Sequence, residues 1–232
     1  MTQPFKLNLG KAQLEGQRAG EGQPVLFLHT GVADQRMWHP QVSELQHRYQ
    51  TITYDRRGFG KTTSPDEAFS HTEDLRALLD QRAVPTAVLI GCSQGGRISI
   101  DLAIADPQRV TALVLFAPAI SGAPEPDVYP PEIQERLDAL ETAEQAGDME
   151  QVNAIEVNLW LDGPMSPLGR VGGEIRDLLF DMNGIALRMP ELTQEREPPS
   201  AYERLSDLRV PTLVIWGALD FAEIKVACHP CG

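Results

Sequence analysis

The chain has 232 residues, of which 42% are hydrophobic and 23% charged, a composition typical of a globular protein with one sizeable core. Its formal net charge of −13 disfavours binding to nucleic acid or to an anionic membrane, because both select for Lys and Arg. No apolar run approaches the roughly 18 residues of a membrane span. The first residues lack the apolar segment of a signal peptide, and three cysteines do not make a disulfide framework, so we expect a cytoplasmic protein.

Predicted strands and helices alternate through the first half of the chain. Two short, turn-bounded segments, PFKLNLG and AQLEGQRAG, predict an N-terminal hairpin. Then follow strand PVLFLH, helix HPQVSELQHRY, strand QTITYD, helix SHTEDLRALLDQRAV, strand TAVLIG, helix GGRISIDLAIA and strand VTALVLFA. Ser70 and Glu73 stand at the spacing of a capping box before the second helix. The alternation predicts an α/β protein with a doubly wound, mostly parallel sheet.

The pattern changes between Ser121 and about Ser206. Three amphipathic helices are predicted there, PPEIQERLDALETAEQAG, MEQVNAIEVNLWL and GGEIRDLLFDM, with no convincing strand between them. VPTLVIWG, from Val210 to Gly217, then predicts another buried strand. We therefore expect a core of residues 1–120 and 207–232, with a helical lid of residues 121–206 inserted between two strands of the sheet.

A serine lies between glycines in GCSQGG, Gly91 to Gly96, directly after the strand TAVLI. The pattern G-x-S-x-G between a strand and a helix is typical of a nucleophile elbow, in which a sharp, strained turn exposes the serine hydroxyl. The glycines are needed because strand and helix come too close for side chains there. The alternative is a glycine-rich turn with an idle Ser93, but the strand before it, the helix after it and the predicted lid favour the elbow.

Four motifs in order resemble the α/β-hydrolase fold family, and the resemblance runs from about Pro24 to Phe221. They are LFLHTG, YDRRGFGKT, the elbow GCSQGG and VPTLVIWGALD. Two positions depart from the family pattern: Thr30 stands where Gly is usual, and Thr62 stands where Ser is usual.

The resemblance implies a role for each matching position. Ser93 would be the nucleophile, and Asp220 would be the acid that orients a histidine base. The backbone N–H groups of Gly31 and Gln94 would form the oxyanion hole, and His29 would brace its loop.

Three further positions of these motifs are expected to be structural. Asp55 and Arg57 are expected to brace their loop with hydrogen bonds rather than bind substrate. Cys92 is expected to be a packed residue, because Ser93 occupies the apex of the turn.

The histidine base is the part of the pattern that the sequence does not supply. Family members carry it on a loop after one further strand, whereas this chain ends 12 residues after Asp220. His229 is the remaining candidate. Nine extended residues span up to about 30 Å, so the distance from Asp220 to the site does not exclude it. The segment after the acid, however, normally begins a helix that leads away from the site. The base is therefore either His229 or absent.

The ending FAEIKVACHPCG has no strand pattern. One Cys-x-x-Cys pair is too few ligands for a structural zinc site, so we expect no metal and no cofactor. The sequence suggests that the family's last strand and helix are missing. TLVIW would then be an exposed sheet edge, which predicts low stability or a homo-oligomer formed through that edge.

The expected function is that of a serine hydrolase acting on a small ester, lactone or thioester as its acyl partner. A cofactor-free perhydrolase or a carbon–carbon bond hydrolase uses the same serine and stays open. The competing hypothesis is a non-catalytic or impaired member of the fold that binds acyl compounds without a triad histidine.

Overall fold

The computed structural model describes residues 2–124 and 126–222. Its described strands form one seven-stranded sheet in the order β1-β2-β4-β3-β5-β6-β7. The strands are β1 Gln3–Leu9, β2 Ala12–Ala19, β3 Pro24–Leu28, β4 Gln50–Tyr54, β5 Ala87–Cys92, β6 Val110–Phe116 and β7 Thr212–Ile215. The helices are α1 His39–Leu45, α2 His71–Gln81, α3 Gln94–Ala105, α4 Pro131–Ala146, α5 Met149–Val157 and α6 Glu174–Ala186.

The sheet is mostly parallel, as the alternation of elements predicts. β1 and β2 form an antiparallel hairpin, and β2 pairs antiparallel with β4. The other neighbours, β4, β3, β5, β6 and β7, pair in parallel. Because parallel strands end at the same edge, the loops that follow β3, β5 and β7 meet there. This edge carries the elbow and the two loops that the sequence assigns to the site.

Both faces of the sheet are covered by helices. Along β3, Leu26 and Leu28 enter the core that α2 and α3 cover, whereas Val25 and Phe27 pack with Trp38 on the opposite face. Alternate residues of a strand point to opposite faces, so a strand buried on both faces must be apolar throughout. This explains the continuous run PVLFL.

Three helices, α4, α5 and α6, lie within the segment predicted to be helical. α5 continues into a π-helical turn at Asn158–Asp162. Val157 of α5 with Leu179 and Met182 of α6 packs against Val32 and Ala33, which follow β3. The helical segment therefore rests on the loop that precedes the candidate site.

The capping box predicted at the start of α2 is wrong, because the structure does not show its side-chain hydrogen bonds. Ser70 is the N-cap residue and has an extended backbone, but its side chain makes no capping hydrogen bond. Glu73 instead pairs with Arg196. Arg196 comes from a distant part of the chain, so the local spacing of Ser70 and Glu73 could not predict this ion pair.

β7 lies at one end of the described sheet. It is shorter than the predicted strand Val210–Gly217, and it is not buried as that prediction expected. It pairs with β6 alone among the described strands. Leu213 is 55% and Ile215 39% exposed. His229 and the rest of the chain's ending lie outside the described residues. In the part of the chain that the structure describes, each helix is too short or too polar to cross a membrane.

Candidate active site

Ser93 occupies a strained turn between β5 and α3. Its φ is 50° and its ψ −115°, a region that residues other than Gly rarely adopt. Its N–H donates to the Phe116 carbonyl at 2.9 Å, and its carbonyl accepts from the N–H groups of Arg97 at 3.0 Å and Ala119 at 3.1 Å. These three bonds hold the strained residue in place. The positive φ expected of a nucleophile elbow is confirmed.

Two glycines of the elbow are required by close approach of backbone to backbone. A Cβ on Gly95 would overlap the Leu28 carbonyl oxygen of β3, and a Cβ on Gly91 would overlap the Gly95 carbonyl oxygen. Strand β3, strand β5 and helix α3 therefore meet with no room for a methyl group, which fixes the height of the Ser93 turn above the sheet edge.

The Ser93 hydroxyl is half-buried, and none of the hydrogen bonds among the described residues involves its oxygen. No described imidazole thus contacts it as a base. His29 and His71 are both buried but bind other groups. His229 lies outside the described residues.

Asp220 lies in the loop after β7, close to the elbow. Its N–H donates to the Gly217 carbonyl at 3.2 Å, and its Oδ1 accepts from the Phe221 N–H at 2.9 Å. Burial, with the nearby Asp220 charge as a second cause, raises the pKa of the Cys92 thiol to about 12. Cys92 therefore stays protonated at neutral pH, as expected of a packed residue beside Ser93.

The two residues assigned to the oxyanion hole are in contact. A Cβ built on Gly31, after β3, would lie 2.9 Å from Cδ and Nε2 of the Gln94 side chain. Gln94 is the first residue of α3, where the free N–H groups of a helix carry partial positive charge. The Gln94 side chain thus lies against Gly31, beside the Ser93 turn.

A cavity of about 290 Å³ opens beside these two residues. It lies between the sheet edge and the helical segment, because its lining includes Glu156 of α5 and Asn183 of α6. Gly31 and Gln94 line it, whereas Ser93 itself is not among its lining residues. A cavity between the sheet and the helical segment is therefore present, and it borders Gly31 and Gln94 rather than Ser93.

The loop after β3 is fixed by His29, which is fully buried. Burial, and then the charge of Arg56, lower the pKa of His29 well below its ordinary value, so the ring is neutral. Nε2 accepts the Arg56 backbone N–H at 3.1 Å, so Nδ1 carries the proton that it donates to the Thr30 carbonyl at 2.7 Å. His29 braces this loop, as the sequence predicts.

Asp55 and Arg57 are structural in the same way. Asp55 accepts the backbone N–H groups of Gln35 at 3.0 Å and of Lys61 at 2.9 Å. Arg57 pairs with Asp74. Neither carboxylate nor guanidinium is left for a substrate, so the loop-bracing expectation for both residues is confirmed.

Sequence reasoning missed Arg56 and the cavity residues of the helical segment. Arg56 lies inside the motif YDRRGFG, next to Arg57, and the motif alone does not tell which of the two guanidinium groups turns toward the site. Glu156 and Asn183 come from segments far from the motifs. Asn183 Nδ2 donates to Glu156 Oε2 at 2.7 Å, and burial raises the pKa of the Glu156 carboxyl.

Comparison with known proteins assigns the chain to a fold family. The sequence profile of the alpha/beta hydrolase fold matches residues 23–223. The chain is 30% identical over 161 residues to 2-(acetamidomethylene)succinate hydrolase of Mesorhizobium japonicum, a match that covers 66% of this chain but only 54% of that protein.

Solved structures share the fold at lower sequence identity. A hydrolase from Pseudomonas aeruginosa superimposes with a TM-score of 0.74 at 22% identity, over 97% of this chain and 84% of that one. An esterase from Thermogutta terrifontis gives a TM-score of 0.68 at 22% identity, over 97% and 85% of the two chains.

Proposed function

Because the chain belongs to the alpha/beta hydrolase fold family, we propose that it is a serine hydrolase that cleaves a small ester, lactone or thioester, with Ser93 as its nucleophile. The observation that carries the proposal is the backbone of Ser93, with φ of 50° at the junction of β5 and α3. Strain of about 1–3 kcal/mol persists where the surrounding structure enforces it, and it gathers at functional sites.

In this reaction the Ser93 oxygen attacks the substrate carbonyl carbon. The carbonyl oxygen takes the negative charge and is bound by the backbone N–H groups of Gly31 and Gln94. Their contact with each other and with the cavity supports this assignment. Asp220 orients the base, and the effect of its charge in raising the pKa of Cys92, the neighbour of Ser93, supports this role.

The volume and the apolar lining of the cavity support a small acyl substrate. Its volume of about 290 Å³ holds a group of modest size, and Phe59, Leu187 and Leu192 supply apolar lining. A perhydrolase or a carbon–carbon bond hydrolase would use the same serine and the same oxyanion groups. A cytoplasmic location is part of the proposal.

A second candidate is a member of the fold that binds acyl compounds without turning them over. The observation in its favour is that no described imidazole contacts the Ser93 hydroxyl. In this case the elbow and cavity would be intact while general-base catalysis is lacking.

Labelling with a fluorophosphonate probe tests the two candidates. A hydrolase should be labelled at Ser93 and should cleave short-chain nitrophenyl esters, and Ser93→Ala should abolish both. Ser43→Ala, a change on the exposed face of α1, is the matched control. Labelling lost in His229→Ala would identify the base. Ester turnover that persists in Ser93→Ala would refute the proposed nucleophile, and labelling without turnover would favour the binding protein.

A further inference from the structure

The side-chain amide of Gln94 has a fixed orientation. Its Oε1 accepts a hydrogen bond from Nη1 of Arg56 at 3.1 Å. A guanidinium group has donors only, so the amide oxygen must face Arg56 and the NH₂ group must point away from it. Arg56 thus decides which end of the Gln94 side chain is presented to the site.

The NH₂ group of Gln94 lies against the second oxyanion residue. Nε2 and Cδ would be 2.9 Å and Oε1 3.2 Å from a Cβ built on Gly31, so the amide group lies flat against this residue, and both residues line the cavity of about 290 Å³. None of the hydrogen bonds within residues 2–124 and 126–222 uses Nε2 as a donor. Two N–H donors are therefore available at the wall of the cavity, next to the backbone N–H groups assigned to the oxyanion.

Arg56 binds both the Gln94 side chain and the loop that carries Gly31. Nη2 donates to the Thr30 carbonyl at 3.0 Å, directly before Gly31, while Nη1 binds Gln94. The aromatic ring of Phe59 lies 4.5 Å from the guanidinium carbon. One side chain thus connects the loop after β3 with the start of α3.

The burial of Arg56 is costly for stability. The residue is 1% exposed, and its Nε has no hydrogen-bond partner among the described residues. No carboxylate of the described residues lies within ion-pair distance of it. Burial lowers its pKa to about 10, so the group is still charged at neutral pH. Taking a cation out of water without an anion to pair with it destabilises the folded state. An apolar residue at this position would avoid this destabilisation, which indicates that Arg56 has a functional role in the site.

We propose that the Gln94 side-chain N–H is a third donor to the oxyanion, beside the backbone N–H groups of Gly31 and Gln94, and that Arg56 is the positioning residue that orients it. The inference rests on the proposed function, since it needs Ser93 to form a tetrahedral adduct. The amide keeps both hydrogens throughout, so the bond stabilises charge and transfers no proton. Because Oε1 is bound to a cation, the amide is polarised and its N–H is a stronger donor.

The test measures phosphonylation of Ser93 by a fluorophosphonate probe and the hydrolysis of p-nitrophenyl acetate. Gln94→Met removes the donor at similar length, and Gln108→Met is the matched exposed control. Removing one oxyanion donor costs about 100- to 1,000-fold in kcat where it is the main donor. With two backbone donors remaining, we expect Gln94→Met to lower the phosphonylation rate constant and kcat about 10- to 100-fold with little change in KM.

Arg56 variants separate positioning from direct contact. Arg56→Met should reduce both rates at least as much as Gln94→Met does, because it also removes the hydrogen bond to the Thr30 carbonyl. The double variant should be no slower than Arg56→Met alone, because that variant has already lost the bond that orients Gln94. Arg56→Lys keeps a donor to Oε1 and should restore part of the rate. If Arg56→Met does not fold, the Gln94 variants still decide the question, since Gln94 is exposed and its replacement leaves the core intact.

Two results would overturn the inference in distinguishable ways. If Ser93 is phosphonylated and Gln94→Met reacts at the wild-type rate, the third donor is wrong and the proposed function stands. If neither phosphonylation nor turnover depends on Ser93, the proposed function fails and the third donor fails with it. A fall in rate that appears in KM alone would assign Gln94 to substrate binding and would also refute the oxyanion role.

Discussion

Arg57 and Asp74 form a buried ion pair that ties the loop after β4 to helix α2. Nε of Arg57 donates to Oδ2 of Asp74 at 2.7 Å, and Nη2 donates to Oδ1 at 3.2 Å. Nη1 reaches Ser64 at 3.2 Å and Glu67 at 3.3 Å on the same loop. Burial raises the pKa of Asp74, and the Arg57 charge opposes this shift. The pair thus fixes the loop whose next residues, Gly58 and Phe59, line the cavity.

Arg57→Met should destabilise the protein strongly, because it leaves the Asp74 carboxylate buried without its cation. Breaking one partner of a buried pair costs about 3–5 kcal/mol. The double variant Arg57→Met with Asp74→Leu should be more stable than Arg57→Met alone, since no unpaired charge remains. Urea unfolding of the three proteins measures this, and a loss below about 1 kcal/mol for Arg57→Met would show that the pair is dispensable.

Asp101→Asn should stabilise the protein above neutral pH. The Asp101 carboxyl is buried, its Oδ2 accepts from Ser121 Oγ at 2.8 Å, and its Oδ1 has no hydrogen-bond partner in the part of the chain that the structure describes. Burial raises its pKa to about 6, above the value of about 3.9 in an unfolded chain. The folded state therefore prefers the protonated acid, and stability is lost as the pH rises from about 4 to about 6.

Replacing the ionisable carboxyl with an amide removes this loss. One pKa unit is equivalent to about 1.4 kcal/mol, so the shift of about two units corresponds to a gain of up to about 3 kcal/mol at pH 8, which should disappear near pH 4. Unfolding curves at both pH values measure it. Asp127→Asn, at an exposed position, is the control, and it should have the same small effect on the free energy of unfolding at both pH values. An Asp101→Asn gain that is as large at pH 4 as at pH 8 would contradict the assigned cause.

Gly95→Ala should disrupt the elbow. The added methyl group would overlap the Leu28 carbonyl oxygen, which belongs to the backbone of β3 and cannot turn aside as a flexible side chain would. Overpacking of this kind costs about 1–3 kcal/mol and occasionally more. Gly172→Ala is the matched control, since nothing lies within 4 Å of its Cβ position, and it should stay within about 0.5 kcal/mol of wild type. Equal melting temperatures for the two variants would mean that the contact at Gly95 is not limiting.

The edge strand β7 should promote self-association. We propose that a second copy of the chain pairs with this edge, because the strand is bonded on one side alone within the described sheet and exposes Leu213 and Ile215. Ile215→Lys places a charge on the edge and should shift the protein toward monomer. Light scattering across a range of concentrations measures the mass. A wild-type chain that stays monomeric throughout would refute the proposal.

The sequence by itself determined the elements and the turn at the site. An apolar run such as PVLFL must lie between two helical layers, and the glycines around Ser93 allow one tight strand–helix turn. Both conclusions depend on residues close together in the chain, so local propensity and spacing suffice for them. The roles of His29, Asp55 and Arg57 as loop braces followed from the family pattern.

The tertiary structure alone decided which distant groups meet. The contact of Arg56 with Gln94 joins residues 38 positions apart, and Ser121 reaches Asp101 from another loop. Glu156, Asn183 and Gly31 line one cavity, although they come from three separate parts of the sequence. For β7, the apolar run TLVI is the same whether a neighbouring strand covers it or not, so its exposure could not be read from its pattern. Such features depend on how the elements pack, and side-chain periodicity carries no information about which partner a surface finds.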